Sequence, residues 1–529
     1  MSSPPPSQGD GSMSVAHDTP QPVAGQHRYS SLLRENLIER REYQESIALK
    51  SVEKNTLIVI PTALGKTVIA VIAISILIQD GGKCIFMAPT KPLVHQHAAS
   101  MRKFLSLPEE DIIEITGEID RSLRGDLYRK ARVIVSTPQV IANDAGLLMG
   151  MKDDVKVVVF DEAHRTTGDY SYVAVADFFS GSRIIATTAS PGGDRERIDE
   201  ITRHLRIGNL EIRDENSPDV VEYIKGIDVD QVRIPIPPAC LVITARLGEM
   251  MDDMVKKLES FGFALSGRSR KELIALGDVI SGQIREGNAS FFNAARYRTQ
   301  AILIDYLREF AETQGTLPFS EYLARMKEEN AKARPIFRDA RMAVIEEETR
   351  KLIAQPMHVH TPKISKVMEI LRERSSGKVI IFCHYRITAN ILSGALTSQG
   401  ISSEKFIGQS SRGDGKGMSQ KEQVSALQRF RDGDFRVLVA TQVGEEGLDV
   451  PSADTVIFYE PVSSEIRSIQ RRGRTGRFGR GKVYVLMMEN SRDMAYYYSA
   501  GRKENRMKNI LREDTRPWKK DPQTTFDGF

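Results

Sequence analysis

Three short stretches of this 529-residue chain carry residue types that could do chemistry together. The first is "IPTALGKT", Ile60 to Thr67. Gly65-Lys66-Thr67 closes the phosphate-loop pattern G-x-x-x-x-G-K-[ST], although Ile60 stands where its first glycine belongs and Ala63 fills the middle. In such a loop the lysine ammonium reaches β- and γ-phosphates and the threonine hydroxyl binds Mg²⁺, while Thr62 and Gly65 line the turn around the phosphates. Backbone N–H groups at the start of the following helix complete the anion site. Alanine is the more consequential departure, because a glycine there could adopt positive φ where Ala63 is strained. Taken alone, the stretch also reads as a buried strand end.

The second stretch, "VVVFDEAH", ends an apolar run on adjacent carboxylates about ninety-five positions after Lys66. A strand would deliver Asp161 and Glu162 to its carboxyl edge, Asp161 to hold Mg²⁺ and Glu162 to orient or deprotonate the attacking water. Adjacent acids after a strand also serve as a plain helix N-cap, but D-E-A-H at this distance from a phosphate loop disfavours that. The third stretch, "QRRGRTGR", packs four arginines and two glycines into Gln470–Arg477. A solvated basic surface would need neither the glycines nor the spacing of Arg474 and Arg477. Arginines brought by a second domain can neutralise charge on a transferring γ-phosphoryl group. Two half-sites on two domains give a cycle in which ATP closes a cleft and hydrolysis reopens it.

Elements must bring these stretches together, and the pattern supplies them. "LIVIPT", "KCIFMAPT", "RVIVSTP", "VKVVVFDEAH" and "RIIATTAS" form one group of β-rich runs; "KVIIFCHY", "FRVLVATQ", "DTVIFYEP" and "KVYVLMM" form another. Continuous Val/Ile runs separated by helical stretches predict parallel strands covered on both faces. The class is therefore α/β with two parallel-sheet domains, and the site belongs at the carboxyl ends of the strands. Between the groups, "GEMMDDMVKKLESFGFAL" and "FNAARYRTQAILIDYLREFAE" have apolar residues at helical spacing, which predicts an α-helical insertion. The predicted segments are a tail over 1–30, a first domain over 31–212, a connector over 213–239, the insertion over 240–350, a second domain over 351–500 and a basic tail over 501–529. The insertion reads either as a packing module or as a clamp whose Arg268, Arg270, Lys271, Arg296 and Arg298 touch phosphates, with Glu272, Asp278 and Glu286 diluting the charge.

Composition narrows the remaining classes. Hydrophobic residues make up 40% and charged residues 27%, as in globular chains. The longest apolar run, Val68 to Ile78, is well short of the ~20 residues of a membrane span and predicts a buried helix. Cys84, Cys240 and Cys383 lie far apart without a CxxC pair, which fits a reducing compartment rather than a zinc site or disulfide framework. The opening "MSSPPPSQGDGSMSVAHDTPQPVAG" has neither apolar core nor basic leader and reads as a disordered tail. Net charge is only +4, yet Arg502–Lys520 holds eight Lys/Arg against three Asp/Glu, either a solvated helix face or a phosphate contact.

With "REYQ", "PTALGKT", "APTKPLVHQ", "STPQV", "DEAH", "TAS", "GQSSRGDGKGMSQKEQ", "ATQVGEEGLDVP" and "FYEPVSSEIRSIQRRGRTGR" in view, the chain resembles the superfamily 2 helicases of the DEAH-box branch. The likeness is closer still to the helicase portion of archaeal Hef and the FANCM-type proteins, from about Ile38 to about Arg512. It implies two RecA-like domains, ATP and Mg²⁺ as cofactors, and DNA, forked or branched, as partner. It also implies roles: Gln44 with Arg41 reads adenine, Asp449 contacts ribose, and Gln470, Arg474 and Arg477 sense the γ-phosphate. His164, Thr188 and Ser190 would couple hydrolysis to nucleic-acid grip; Thr90, Lys91, Thr137, Gln139, Tyr385, Arg386 and Thr441 would line the strand track. By the same resemblance the insertion is similar to the thumb of the Hef family, which favours branched DNA, and falls where Dicer and the innate RNA-sensing helicases carry one too. No ERKxxxD nuclease signature is found. The expected action is a DNA helicase or translocase of repair and fork processing, cytoplasmic and nucleoid-associated, or nuclear in a eukaryote. An RNA-activated ATPase and an ATP-gated DNA scaffold are the alternatives. Gln523, Phe526 and Phe529 resemble a sliding-clamp (PCNA) interaction box.

Overall fold

The computed structural model describes residues 29–61, 64–167, 170–192, 194–214, 217–223, 227–265, 269–356, 361–408, 417–441, 453–461 and 481–514. The first group of runs forms a seven-stranded parallel sheet in the order β3-β4-β2-β5-β6-β1-β7. Its strands are β1 (Thr56–Val59), β2 (Lys83–Met87), β3 (Ile112–Ile115), β4 (Val133–Ser136), β5 (Val155–Asp161), β6 (Arg183–Thr188) and β7 (Asn209–Ile212). Alternation makes both faces apolar: Val157 and Val159 of β5 enter one core, Val158 and Phe160 the other. The apolar run after the phosphate loop is the buried helix Lys66–Leu77, as expected.

The second sheet is also parallel, in the order β10-β11-β9-β12-β13-β8, with β8 (Ile227–Ile234), β9 (Val379–Phe382), β10 (Ser403–Phe406), β11 (Val437–Ala440), β12 (Thr455–Phe458) and β13 (Gly481–Met488). The segment expected to be a plain connector therefore contains an edge strand. β8 runs beside β13 from Ile227↔Gly481 to Ile234↔Met488. Its sequence "IDVDQVRI" escaped notice because an edge strand need not be a continuous apolar run: Asp228 and Asp230 face outward and bind Lys482 at 2.5 and 2.7 Å. The helical insertion leaves from this strand and returns to the second sheet.

Helices Pro238–Glu259 and Phe291–Thr313 form the centre of the insertion, around Leu247, Met250, Ile304, Leu307 and Phe310. Polar groups tie this layer to the second domain. Thr388 Oγ1 donates to Gln314 Oε1 at 2.8 Å, the Tyr459 hydroxyl donates to the Gln314 carbonyl at 3.3 Å, and Arg492 binds Asp305 at 2.6 Å. These groups are buried or half-buried and satisfy one another across the seam, so removing one partner would leave the other buried and unpaired. The insertion is built as part of the second domain's fold.

The C-terminal segment is the second departure. Residues 492–514 form a helix, not a tail from 501 onward. Asp493 near its start pairs with Lys363 at 2.6 Å, both essentially inaccessible. Met507, fourteen residues further on, is 3% exposed within the core of the first domain. One helix thus bridges both sheets. Among the described residues no helix is long and apolar enough to cross a membrane.

Candidate functional site

The phosphate loop begins where β1 ends. Ile60 is fully buried, and Gly65 caps the helix Lys66–Leu77 in the left-handed region at φ 78°. A side chain at Gly65 would displace the Gln44 amide from the loop, and the positive φ itself favours glycine here. Gln44 Nε2 donates to the Leu64 carbonyl at 2.9 Å, and the Tyr43 hydroxyl donates to the same oxygen at 2.8 Å. "REYQ" therefore clamps the loop's backbone in addition to facing a cavity of about 110 Å³ bordered by Tyr29, Ile38, Arg41 and Gln44. Arg41 precedes the helix Glu42–Glu53, pairs with Glu39 at 2.6 Å and lies 5.3 Å from the centre of the Tyr223 ring. Lys66 Nζ sits 3.4 Å from the Ile60 carbonyl, folded over the loop, and half-buried Thr67 follows in the first helical turn. Thr62 and Ala63 lie outside the described residues, as do Asp449, Gln470, Arg474 and Arg477.

β5 delivers the carboxylates as its sequence predicts. Asp161 is 7% exposed; His97 Nε2 lies 2.8 Å from its Oδ2, and the Thr187 hydroxyl donates to its Oδ1 at 2.6 Å. Burial pushes this carboxyl's pKa up, but the His97 contact, the Thr187 hydroxyl and the Lys66 charge outweigh it and hold the group below the usual range. Asp161 is thus an ionised carboxylate set beside the loop lysine, and each oxygen keeps lone-pair capacity beyond its one bond. Glu162 follows at φ 52°, a conformation uncommon for a non-glycine residue and associated with functional sites. Its Oε2 is buried without a hydrogen-bond partner among the described residues; His164 Nδ1 lies 3.3 Å away but bonds Thr188 Oγ1 at 3.1 Å. A buried carboxylate oxygen left open beside a phosphate loop suits a hydroxylic ligand such as water. The oxygen donors of Thr67 and Asp161, beside the start of the helix Lys66–Leu77, fit Mg²⁺ held largely by water and nucleotide.

From the carboxylates a chain of contacts leads outward. Thr188 Oγ1 donates to the Ser190 carbonyl at 3.0 Å, and Ser190 Oγ donates to Met507 Sδ at 2.9 Å. His164, Thr188 and Ser190, assigned together from sequence, are adjacent in space, and the path ends on the C-terminal helix. Sequence reasoning missed His97, Thr187, Tyr43 and Tyr172, whose hydroxyl donates to the Asp161 carbonyl at 2.8 Å. His97 is the polar member of the buried stripe Val94-His97-Ala98-Met101, a pattern that resembles ordinary core.

The expected strand-track residues are divided. Thr90 and Thr137 sit just after β2 and β4 at the N-terminal ends of helices Lys91–Phe104 and Pro138–Asn143, and Gln139 is exposed. Lys91 is half-engaged by exposed Glu118 at 2.6 Å. Across the molecule Thr441 is buried after β11, and Arg386 donates to the Gly408 carbonyl at 2.9 Å. Tyr385 departs from the expectation. Its ring packs 4.3 Å from that of Phe310 and its hydroxyl donates to Glu309 at 3.3 Å, so it faces the helical insertion. The clamp arginines need correction too. Arg270 binds Asp305 at 2.6 Å, binds Glu309, and lies 3.8 Å over the Tyr306 ring, while Arg298 donates to the Ile274 carbonyl at 3.0 Å. Both serve internal packing; Lys271 and Arg296 remain exposed, and Arg268 lies outside the described residues.

Comparison with known proteins agrees with this geometry. Residues 41–198 match the DEAD/DEAH box helicase family and residues 362–479 the "Helicase conserved C-terminal domain". Residues 242–359 match a family described as "Putative ATP-dependent RNA helicase, helical bundle". The crystal structure of the Pyrococcus furiosus Hef helicase domain is 41% identical, with a TM-score of 0.68, covering 88% of this chain and 99% of that one. A "Putative ATP-dependent RNA helicase" of Methanocaldococcus jannaschii is 37% identical over 91% of this chain and 62% of its own length. The ATP-dependent DNA helicase MPH1 of Pyricularia oryzae is 32% identical over 87% of this chain and 44% of its own length. The chain thus spans between less than half and about three-fifths of these two curated relatives.

Proposed function

Because this chain belongs to the Hef-type branch of the superfamily 2 helicases, we propose that it is an ATP-driven motor that remodels forked or branched DNA. The observation that supports this most is the run of contacts from Glu162 through His164, Thr188 and Ser190 to Met507, which joins a largely buried carboxylate to a helix rooted in the second domain. In this reading Lys66 holds the β/γ-phosphates, Thr67 and Asp161 hold Mg²⁺ directly or through water, and Glu162 orients the attacking water. Mg²⁺ supplies charge neutralisation on the phosphates. Gln470, Arg474 and Arg477 complete the site from the second domain when it closes, with Asp449 on the ribose. Loss of the γ-phosphate then alters the bonds of His164, Thr188 and Ser190, and the C-terminal helix transmits the change to the second domain and its insertion.

DNA is favoured as the track by the DNA-helicase activity for which the fungal relative is named and by the Hef likeness. Phosphate contacts give affinity without sequence preference, and shape gives preference for branches. The test is ATP turnover measured side by side with forked DNA, single-stranded DNA and double-stranded RNA. The strongest stimulation is expected from forks; equal or greater stimulation by duplex RNA would instead favour the activity named for the archaeal relative. Among the described cations of the insertion's clamp set, Lys271 and Arg296 are exposed. A Lys271→Glu, Arg296→Glu double variant is expected to weaken fork binding and flatten its salt dependence by about one unit of log–log slope per lost contact. An unchanged salt slope would assign the insertion to packing alone.

Nucleotide choice gives a further expectation. Gln44 Nε2 is held by the Leu64 carbonyl, which leaves its Oε1 to accept from the adenine amino group, where guanine presents a carbonyl. ATP is expected to exceed GTP in kcat/KM, and Gln44→Ala should bring the two together; equal use of GTP by the unmodified protein would overturn the adenine reading. A sliding clamp is proposed as a further partner from the spacing of Gln523, Phe526 and Phe529, which lie outside the described residues.

A further inference from the structure

Helix Lys91–Phe104 turns Val94, His97, Ala98 and Met101 toward the first sheet. His97 is 4% exposed, its ring lies 4.4 Å from the ring centre of Phe86, and its Nδ1 has no hydrogen-bond partner among the described residues. An imidazole in that position carries a desolvation cost that an apolar residue of similar size would not. What the imidazole adds is its other nitrogen: Nε2 lies 2.8 Å from Asp161 Oδ2. The second oxygen of that carboxylate is held independently, by Thr187 Oγ1 at 2.6 Å from β6. Two partners on different elements, one on each oxygen, fix the carboxylate plane as well as its position. We propose that His97 is a positioning residue for the metal–nucleotide complex: an Nε2–H donated to Asp161 sets the carboxylate orientation that Mg²⁺–nucleotide meets. The inference rests on the reading of Asp161 as the Mg²⁺ carboxylate of the motor. Outer groups that orient a ligating carboxylate typically change metal affinity or activity by about 10–100-fold when removed.

The geometry separates a donor from a filler. A glutamine amide nitrogen reaches about as far as imidazole Nε2, an asparagine nitrogen stops near Nδ1, and leucine fills the space without donating. The experiment titrates the full chain with Mn²⁺ in the presence of ADP, following free Mn²⁺ by electron paramagnetic resonance, and measures metal-free ADP binding, steady-state ATPase kinetics and thermal unfolding in parallel. His97→Leu and His97→Asn are expected to weaken Mn²⁺ binding about tenfold, leaving metal-free ADP binding and KM at saturating metal in place while kcat falls. His97→Gln is expected to restore Mn²⁺ affinity to within about twofold of the unmodified protein, as the recovered donor requires. If His97→Leu does not fold, the contrast between His97→Gln and His97→Asn carries the test. Equal Mn²⁺ affinity in the glutamine and asparagine variants would overturn the inference. Asp161→Asn separates the two levels: if it abolishes Mn²⁺ binding while the His97 variants bind normally, only the positioning role fails. If Asp161→Asn binds Mn²⁺ normally, the metal-site reading fails and His97 loses its role with it.

Discussion

Glu162→Gln is expected to lower ATP turnover by about 10²–10⁴-fold, the range for loss of a positioned general base, with nucleotide still bound. The substitution keeps the side chain's size but removes the carboxylate whose Oε2 stands open in a buried site. Backbone geometry is not the variable, because glutamine carries the same cost as glutamate at φ 52°. Lys66→Ala should also abolish hydrolysis but by a different route. Its ammonium lies 3.4 Å from the Ile60 carbonyl at the start of the loop and contributes to keeping Asp161 ionised. Nucleotide affinity therefore falls with Lys66→Ala and persists with Glu162→Gln. DNA binding is expected to survive both, and to tighten in Glu162→Gln as the ATP-bound form accumulates. Single-turnover hydrolysis with fluorescent-nucleotide binding measures the two effects; near-normal turnover in either variant would remove the site assignment.

The largest stability effect is expected at the root of the C-terminal helix. Lys363→Met leaves Asp493 buried with, among the described residues, only the Met488 N–H, at 2.9 Å, as a remaining donor. Breaking one side of such a pair costs roughly 3–5 kcal/mol. Burial already raises the Asp493 pKa despite the opposing pull of Lys363, so removing the lysine should raise it further. A carboxyl whose folded pKa lies above its unfolded value near 3.9 binds its proton more tightly when folded. The variant's stability is then highest at low pH and falls as pH rises through the raised value, so its deficit should be smaller at pH 5 than at pH 8. Denaturant unfolding at the two pH values checks this. A Lys363→Met, Asp493→Asn double variant, which removes the stranded charge and keeps an acceptor for Met488, should recover most of the loss. A pH-independent deficit would point to lost packing against Tyr459, whose ring centre lies 5.2 Å from the lysine nitrogen.

Sequence by itself determined the two sheets, the helical character of the insertion and the placing of the Lys66 and Asp161 stretches at the ends of first-domain strands. The reason is local: continuous Val/Ile runs need cover on both faces, and the Lys66 and Asp161 stretches sit where such strands end. Residues whose partners are neighbours in the chain, such as Ser269 and Glu272 in their capping box, are equally legible. Tertiary structure alone decided the rest. β8 belongs to the second sheet because of its pairing with β13, some 250 positions later, while its own alternation is that of any amphipathic edge. Arg270 and Arg298 look like phosphate ligands until Asp305, Glu309 and a helix carbonyl are found to occupy them. Tyr385 meets Phe310, Met507 meets Ser190 and His97 meets Asp161 across separations that no local periodicity encodes. A side chain's type states which bonds it can make; which of them it does make depends on the groups that folding brings within about 3 Å of it.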